Sequence, residues 1–205
     1  MYNCLMKKVL STFSNEIEIN KSRFIAFLMP ITDTTNISDI ISSFRLRFRD
    51  ATHVCYALVC NTSSRSSDDG EPKGTAGRPI LEVLMKNNIT DTLCIVIRYF
   101  GGIKLGAGGV LRAYTQAAAK VIEVARFSYE RMVINYTLDV PYESQNLIES
   151  KSNILMNLNR SYNTEDVSLI YSFSIDKDNE KDIESILSKS NKIKLISKEE
   201  KVDFV

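Results

Sequence analysis

The sequence predicts an α+β protein built as two domains, and three observations carry that prediction. All eight glycines lie between Gly70 and Gly109, a window of 40 of the 205 residues. From Glu130 onward the chain holds no glycine and one proline, and it is richer in Asn, Ser and acid. Charge divides at the same place: residues 1–126 carry 16 Lys/Arg against 11 Asp/Glu, net +5, and residues 127–205 carry 10 against 14, net −4. A charge asymmetry between halves marks domains with different surroundings. The boundary is expected at 126–130, giving domains 1–126 and 127–205.

The elements follow in order from periodicity. Residues 16–30 read as one strand, with Ile17 and Ile19 alternating with Glu16 and Glu18 before the apolar run Phe24 to Met29. Residues 36–49 read as a helix, because Ile37, Ile40, Ile41, Phe44 and Phe48 form one stripe. Asn36 suits the N-cap, and Arg45, Arg47 and Arg49 suit the C-terminal end of the dipole. His53 to Cys60 reads as a strand, and Ile80 to Lys86 as a short helix opened by Pro79. The continuous apolar run Leu93 to Ile97 reads as a central strand. Residues 108–125 read as a helix burying Val110, Tyr114, Ala117, Ala118, Val121 and Ala125, with Arg112, Gln116 and Lys120 outside. Beyond the boundary, strands are expected at 132–140, near 160–162, at 167–175 and at 193–196, with helices around Leu147 to Leu155 and Ile183 to Leu187. That order, β-α-β-β-α-β, is the ferredoxin-like pattern.

Composition excludes several classes. Hydrophobic content of 44% and charge of 25% are globular values. No apolar run approaches the 18 or so residues of a membrane span, and the N-terminus lacks a signal-peptide pattern. A soluble cytoplasmic protein without a membrane partner is expected. Cys4, Cys55, Cys60 and Cys94 form no CxxC pair and only His53 could assist them, so they are expected to be reduced thiols with no zinc site. Cys55 and Cys60 should point to opposite faces of their strand.

The glycines form two clusters, residues 68–79 and 98–109. A glycine-rich turn between a strand and a helix N-terminus gathers backbone N–H groups where the helix dipole favours negative charge. Gly101, Gly102, Gly106, Gly108 and Gly109 fit that arrangement, flanked by Arg98, Lys104 and Arg112, with Arg78 in the other cluster. Phosphate is the anion such groups suit best. The spacing is neither a P-loop nor GxGxxG. Tight structural turns are the competing reading. Asp68, Asp69 and Glu71 form an acidic set that would suit Mg²⁺ or acid/base work, or else an Asx-type turn with Lys73 and Arg78 as partners. His53 reads as a structural strand-start residue or a catalyst. No cofactor is otherwise expected.

The blocks Ala51-Thr52-His53-Val54-Cys55-Tyr56-Ala57, Asp68 to Pro79 with Lys73, Gly74 and Thr75 at its centre, and Arg98 to Gly109 closely resemble the signatures of the YigZ/IMPACT family. Lys21-Ser22-Arg23-Phe24-Ile25-Ala26 matches a further block, and the resemblance covers roughly residues 16–125. It implies a first domain like the second, βαβ domain of a small-subunit ribosomal protein, also seen in domain IV of elongation factor G. The tail from 127 resembles the second domain of bacterial members, like domain V of that factor. Eukaryotic members are linked to translational control through a protein partner. The function expected is a non-enzymatic, translation-associated regulator whose first domain contacts RNA or the ribosome, with Lys21 and Arg23 as further cationic candidates. The alternatives are an enzyme acting on a small phosphorylated substrate through Asp68, Asp69 and Glu71, or an adaptor that binds a protein partner through the second half.

Overall fold

The structure is a computed structural model that describes residues 5–34, 36–61, 63–163 and 167–205, so Cys4 lies outside the described residues. The chain divides into two compact units, Met1–Tyr129 and Glu130–Val205.

In the first unit the elements are β1 (Lys7–Val9), β2 (Phe13–Ile19), β3 (Ser22–Pro30), α1 (Ile37–Arg47), β4 (His53–Cys60), β5 (Ser63–Ser67), α2 (Gly77–Lys86), β6 (Thr92–Tyr99) and α3 (Gly106–Val124). Its sheet has the order β2-β3-β6-β4-β5, every neighbouring pair antiparallel. The apolar run predicted to be central is central: β6 is buried through seven of its eight residues. Alternation along the strands gives the sheet two apolar faces. Phe24, Ala26, Leu28, Cys55, Ala57, Cys94 and Val96 pack with residues of α2 and α3. Phe27, Val54, Leu58, Cys60, Leu93, Ile95 and Ile97 pack with Ile37 and Ile41 of α1. Cys55 and Cys60 thus do face opposite ways. Phe27 meets Phe44 and Phe48 of the predicted stripe at ring distances of 5.0 and 5.6 Å.

Several local expectations give way. Residues 16–30 are not one strand. Asn20 and Lys21, at φ +47° and +64°, turn the chain between β2 and β3. Two successive positive φ values are what a type I′ hairpin needs. β5, with sequence Ser-Ser-Arg-Ser-Ser, carries no apolar residue and is held by pairing with β4. Asn36 stands at the N-cap of α1, but its side chain makes no cap bond. α2 begins at Gly77, two residues ahead of Pro79.

The second unit contains most of β7 (Phe127–Pro141), then α4 (Gln145–Glu149), β8 (Met156–Asn163), β9 (Ser168–Asp176), α5 (Glu180–Lys189) and β10 (Lys194–Phe204). The first residues of β7, Phe127 to Tyr129, pair with β1 in the first unit. The strands of the second unit run in the order β10-β7-β9-β8, all antiparallel. Ile134, Tyr136, Leu138, Val140, Tyr171, Phe173 and Ile175 form its core with Ile148, Ile183 and Ile186 from the helices. The helix expected across 147–155 closes after Glu149, and the final strand runs on to Phe204. The protein is therefore an α+β fold with two sheets. Among the described residues no helix is long and apolar enough to cross a membrane.

Candidate functional site

The two glycine clusters meet at one end of the first sheet. β6 runs antiparallel to both its neighbours, so its last residues lie beside the first residues of β3 and β4: Arg98 pairs with Phe24 on one side and His53 on the other. Glu71, from the first cluster, reaches this point. Its Oε1 accepts a hydrogen bond from Arg98 Nη1 at 2.6 Å and another from the Tyr114 hydroxyl at 2.9 Å. Glu71 is 8% exposed and Arg98 4%. At such burial each charge depends on the other, since an unpaired ion there would carry its full desolvation cost. The Arg98 guanidinium also lies 5.4 Å from the centroid of the Phe24 ring and 5.6 Å from that of Phe100. Its Nε is buried with no hydrogen-bond partner among the described residues.

His53 stands next to this pair. Its Nδ1 lies 2.8 Å from the carbonyl oxygen of Asp69. A carbonyl can only accept, so Nδ1 carries the proton and Nε2 faces Glu71 Oε1 at 3.8 Å. Cys55 sits below, with Sγ 2.9 Å from the Asp68 carbonyl and 3.3 Å from the Tyr114 hydroxyl. Burial pushes the Cys55 thiol far up, and the nearby acids push it further, against a lowering bond from Tyr114. It stays protonated and is no nucleophile. Burial likewise pushes up the Tyr114 hydroxyl and holds Cys94 at about 12.

The three acids of the first cluster have three different partners. The Asp68 carboxylate accepts from the backbone N–H groups of Gly74, Ala76 and Gly77 at 2.7, 3.0 and 2.9 Å. It satisfies the opening of α2 from outside the helix, which explains why that helix starts early. Burial raises its pKa, but the three N–H bonds outweigh that and hold it below the ordinary value. Asp69 bonds the backbone N–H of Val54 at 2.5 Å and the guanidinium of Arg45. Arg45, read as a helix-dipole partner, is thus an anchor for the glycine loop. Glu71 belongs to Arg98. The acids do not converge, and no group of His, Cys, Asp and Glu able to hold a metal occurs among the described residues. Thr75 Oγ1 donates to the Pro72 carbonyl at 2.6 Å, and exposed Lys73 and half-buried Gly74 complete that turn.

In the second cluster, Gly101 lies against the hairpin turn of β2 and β3. A Cβ on it would fall 2.0 Å from the carbonyl carbon and oxygen of Lys21, so only glycine fits. Gly102 and Gly106 take φ of +83° and +67°. Gly106, Gly108 and Gly109 make the first turn of the 19-residue α3, which has no side-chain cap and no acid in that turn. Its first N–H groups are therefore left for another partner. Arg112 is exposed and lies near that turn, its Nη1 3.8 Å from where a Gly108 Cβ would be.

These parts enclose a cleft of about 390 Å³, lined by His53, Glu71, Pro72, Arg98, Phe100, Lys104, Leu105, Gly106, Ala107 and Val110 among others. Of the residues named from sequence, His53, Glu71, Arg98, Lys104 and Gly106 line it. Arg98, expected to be a phosphate contact, is instead buried and committed to Glu71. Arg78 does not line it; it pairs with Glu82 along α2 at 3.1 Å. Tyr114, Phe100, Leu105 and Pro72 were not foreseen. Tyr114 read only as part of an apolar stripe, because nothing local betrays what its hydroxyl meets.

The family described as the Impact N-terminal domain matches residues 20–122. The chain is 45% identical over 109 residues to the IMPACT family member YvyE of Bacillus subtilis (strain 168), covering 52% of this chain and 50% of that protein. It therefore spans half the length of that relative. It is 36% identical over 138 residues to the IMPACT family member YigZ of Escherichia coli (strain K12), covering 65% of this chain and 68% of that one. A crystal structure of a hypothetical protein superposes with a TM-score of 0.59 at 26% identity, covering 94% of this chain and 97% of the other. The two-domain translational regulator Yih1 matches at a TM-score of 0.32 and 18% identity over 61% of this chain and 48% of its own, a likeness too distant to carry an argument. The family match encloses both glycine clusters, His53, the Glu71–Arg98 pair and the first turn of α3, and on that match this chain belongs to the IMPACT family.

Proposed function

We propose that the protein is a translation-associated regulator that binds RNA or the ribosome through its first unit and performs no chemistry of its own. The observation that carries this reading is the open N-terminus of α3, built from glycines at a cleft that Lys104 also lines. Backbone N–H groups, helix dipole and ammonium together favour a phosphate group. Arg112 adds charge on the same helix, and the first 126 residues carry the +5 excess. Arg98 acts here as a strut under the cleft. The enzyme reading loses support from the separate partners of Asp68, Asp69 and Glu71 and from the protonated Cys55 thiol. The strand order β10-β7-β9-β8 with β-α-β-β-α-β connectivity suits a ferredoxin-like second domain, and the parallel pair β3 and β4, linked by α1 and separated by β6, suits the ribosomal-protein-like first domain. Both folds fit a translational setting.

Binding of fluorescent single-stranded and structured RNA across a salt series tests this. Affinity should fall steeply with salt, as phosphate contacts release counterions. The double variant Lys104→Ala, Arg112→Ala should weaken binding and flatten the salt slope by roughly 0.7 for each single-strand phosphate it no longer neutralises. An unchanged affinity and slope would refute the assignment.

A further inference from the structure

We infer that the cleft seats one unpaired nucleotide of a single-stranded RNA, its base stacked on Phe100 and its phosphate against the first turn of α3. This rests on the RNA reading above and specifies which form of RNA the site takes.

The first observation is the setting of Phe100. Phe100 is 46% exposed and lines the cleft. The ring is nevertheless supported. The guanidinium of Arg98 lies 5.6 Å from its centroid and 5.4 Å from that of the buried Phe24 ring. Glu71 fixes that guanidinium at 2.6 Å. Arg98 is thus within cation–π reach of both rings, Phe24 buried and Phe100 exposed. A ring held this way presents a preorganised surface for another flat group, and base stacking on aromatic side chains is how single strands are held.

The second observation is independent. Arg98 is only 4% exposed, it lines the cleft, and its Nε has no partner among the described residues. Lys104 and the uncapped first turn of α3 line this same cleft and favour an anion there, while the Arg98 charge is already met by Glu71. Phe100, Lys104, Leu105, Gly106 and Ala107 line one cleft, so the stacking surface and the phosphate donors serve one ligand. The volume of about 390 Å³ lies near the lower end of small-ligand sites and suits a single nucleotide. A duplex does not meet these demands, because its bases are stacked on one another and offer only edges and backbone.

The test is the affinity of the full chain for three probes at one low salt concentration: a short single-stranded RNA, the same sequence as a duplex, and an abasic oligomer of the same length. The single strand should bind about tenfold or more tightly than the other two, as one stacked base implies. Phe100→Ala should reduce the single strand to the level of the abasic oligomer. Phe100→Leu keeps an apolar cover over Arg98 but has no ring face, so it should behave like Phe100→Ala, and Phe100→Trp should retain the preference. Lys104→Ala should weaken all three probes alike. If the three probes bind equally, or Phe100→Leu keeps the preference for the single strand, the stacked nucleotide is refuted while the phosphate reading stands. If no RNA binds at all, both fall.

Discussion

Replacing Arg98 with methionine is the sharpest test of how the cleft floor is held together. Methionine keeps much of the apolar stem beside Phe24 and Phe100 but removes the guanidinium. Glu71 would then be a carboxylate at 8% exposure with only the Tyr114 hydroxyl as a donor of those now bonding it. Breaking a buried pair from one side costs about 3–5 kcal/mol. Against a domain stability of about 5–15 kcal/mol that is a large fraction. For a unit of this size it should lower the melting midpoint by roughly 10–15 °C. Glu71→Gln alone removes the charge but keeps an acceptor for Tyr114, leaving Arg98 buried without its counterion. The double variant removes both charges, so it should recover at least half of the Arg98→Met loss, about 2 kcal/mol, and the coupling energy exceeds that figure by the loss Glu71→Gln shows alone. Far-UV circular dichroism melts give the midpoints. Hydrogen exchange at β4 and β6 assigns the loss to the first unit, since a two-unit chain need not melt in one step. If Arg98→Met shifts the midpoint by less than about 3 °C, roughly 1 kcal/mol, or if the two single losses simply add, the pair does not hold the floor.

Further outcomes follow from the loops. Asp68→Ala should destabilise the first unit by about 1–2 kcal/mol near neutral pH, as a missing cap does. Because the folded pKa of Asp68 lies below the ordinary value of about 3.9, its contribution is complete above that value and vanishes as pH falls through the folded value. Urea melts of wild type and variant should therefore converge in acid, and a constant gap down to the lowest pH would contradict the cap. Three glycine-to-alanine variants should separate cleanly in thermal melts. Gly101→Ala meets the Lys21 backbone at 2.0 Å and should disrupt the hairpin contact severely. Gly102→Ala has open space but φ +83°, and should cost about 1 kcal/mol. Gly108→Ala, helical and uncrowded, should be neutral or stabilising by up to about 1 kcal/mol. Lys21→Gly relieves a lysine at φ +64° and should stabilise by roughly 1 kcal/mol; a drop in stability would show that the lysine side chain matters to the turn.

The parts of the fold that could be read from sequence are those with a repeating apolar signal. The Ile37 to Phe48 stripe, the run Leu93 to Ile97 and the stripe through Val110 to Val121 each pack as expected, because burial imposes a period that propensity alone cannot hide. β5 escaped because Ser63 to Ser67 has no such signal; its partner strand supplies the order. The β2–β3 turn escaped because Lys21 occupies a conformation usually signalled by glycine. At the candidate site, the glycine clusters lie on the loops that line the cleft, and the approach of those loops to each other depends on sheet order, which one sequence does not state. Asp68 and Asp69 were named for their charge, yet that charge serves the opening of α2 and the N–H of Val54. Sequence patterns record that an acid stands there, while three-dimensional neighbours decide what it does.

The position of β6 in the sheet has a consequence for how the chain assembles. β6 lies between β3 and β4 but is made after both, since Thr92 follows Pro30 by more than sixty residues. During synthesis at about 5–20 residues per second, several seconds separate the completion of β3 from the appearance of its neighbour. The hairpins β2–β3 and β4–β5 need only local contacts and can close early. Each then presents an unpaired inner edge lined with apolar side chains, the form of surface that joins to other chains. Sheet closure requires contacts distant in sequence, which slows folding relative to a local topology. A nascent chain halted before Thr92 holds two hairpins whose inner edges lack the strand that joins them.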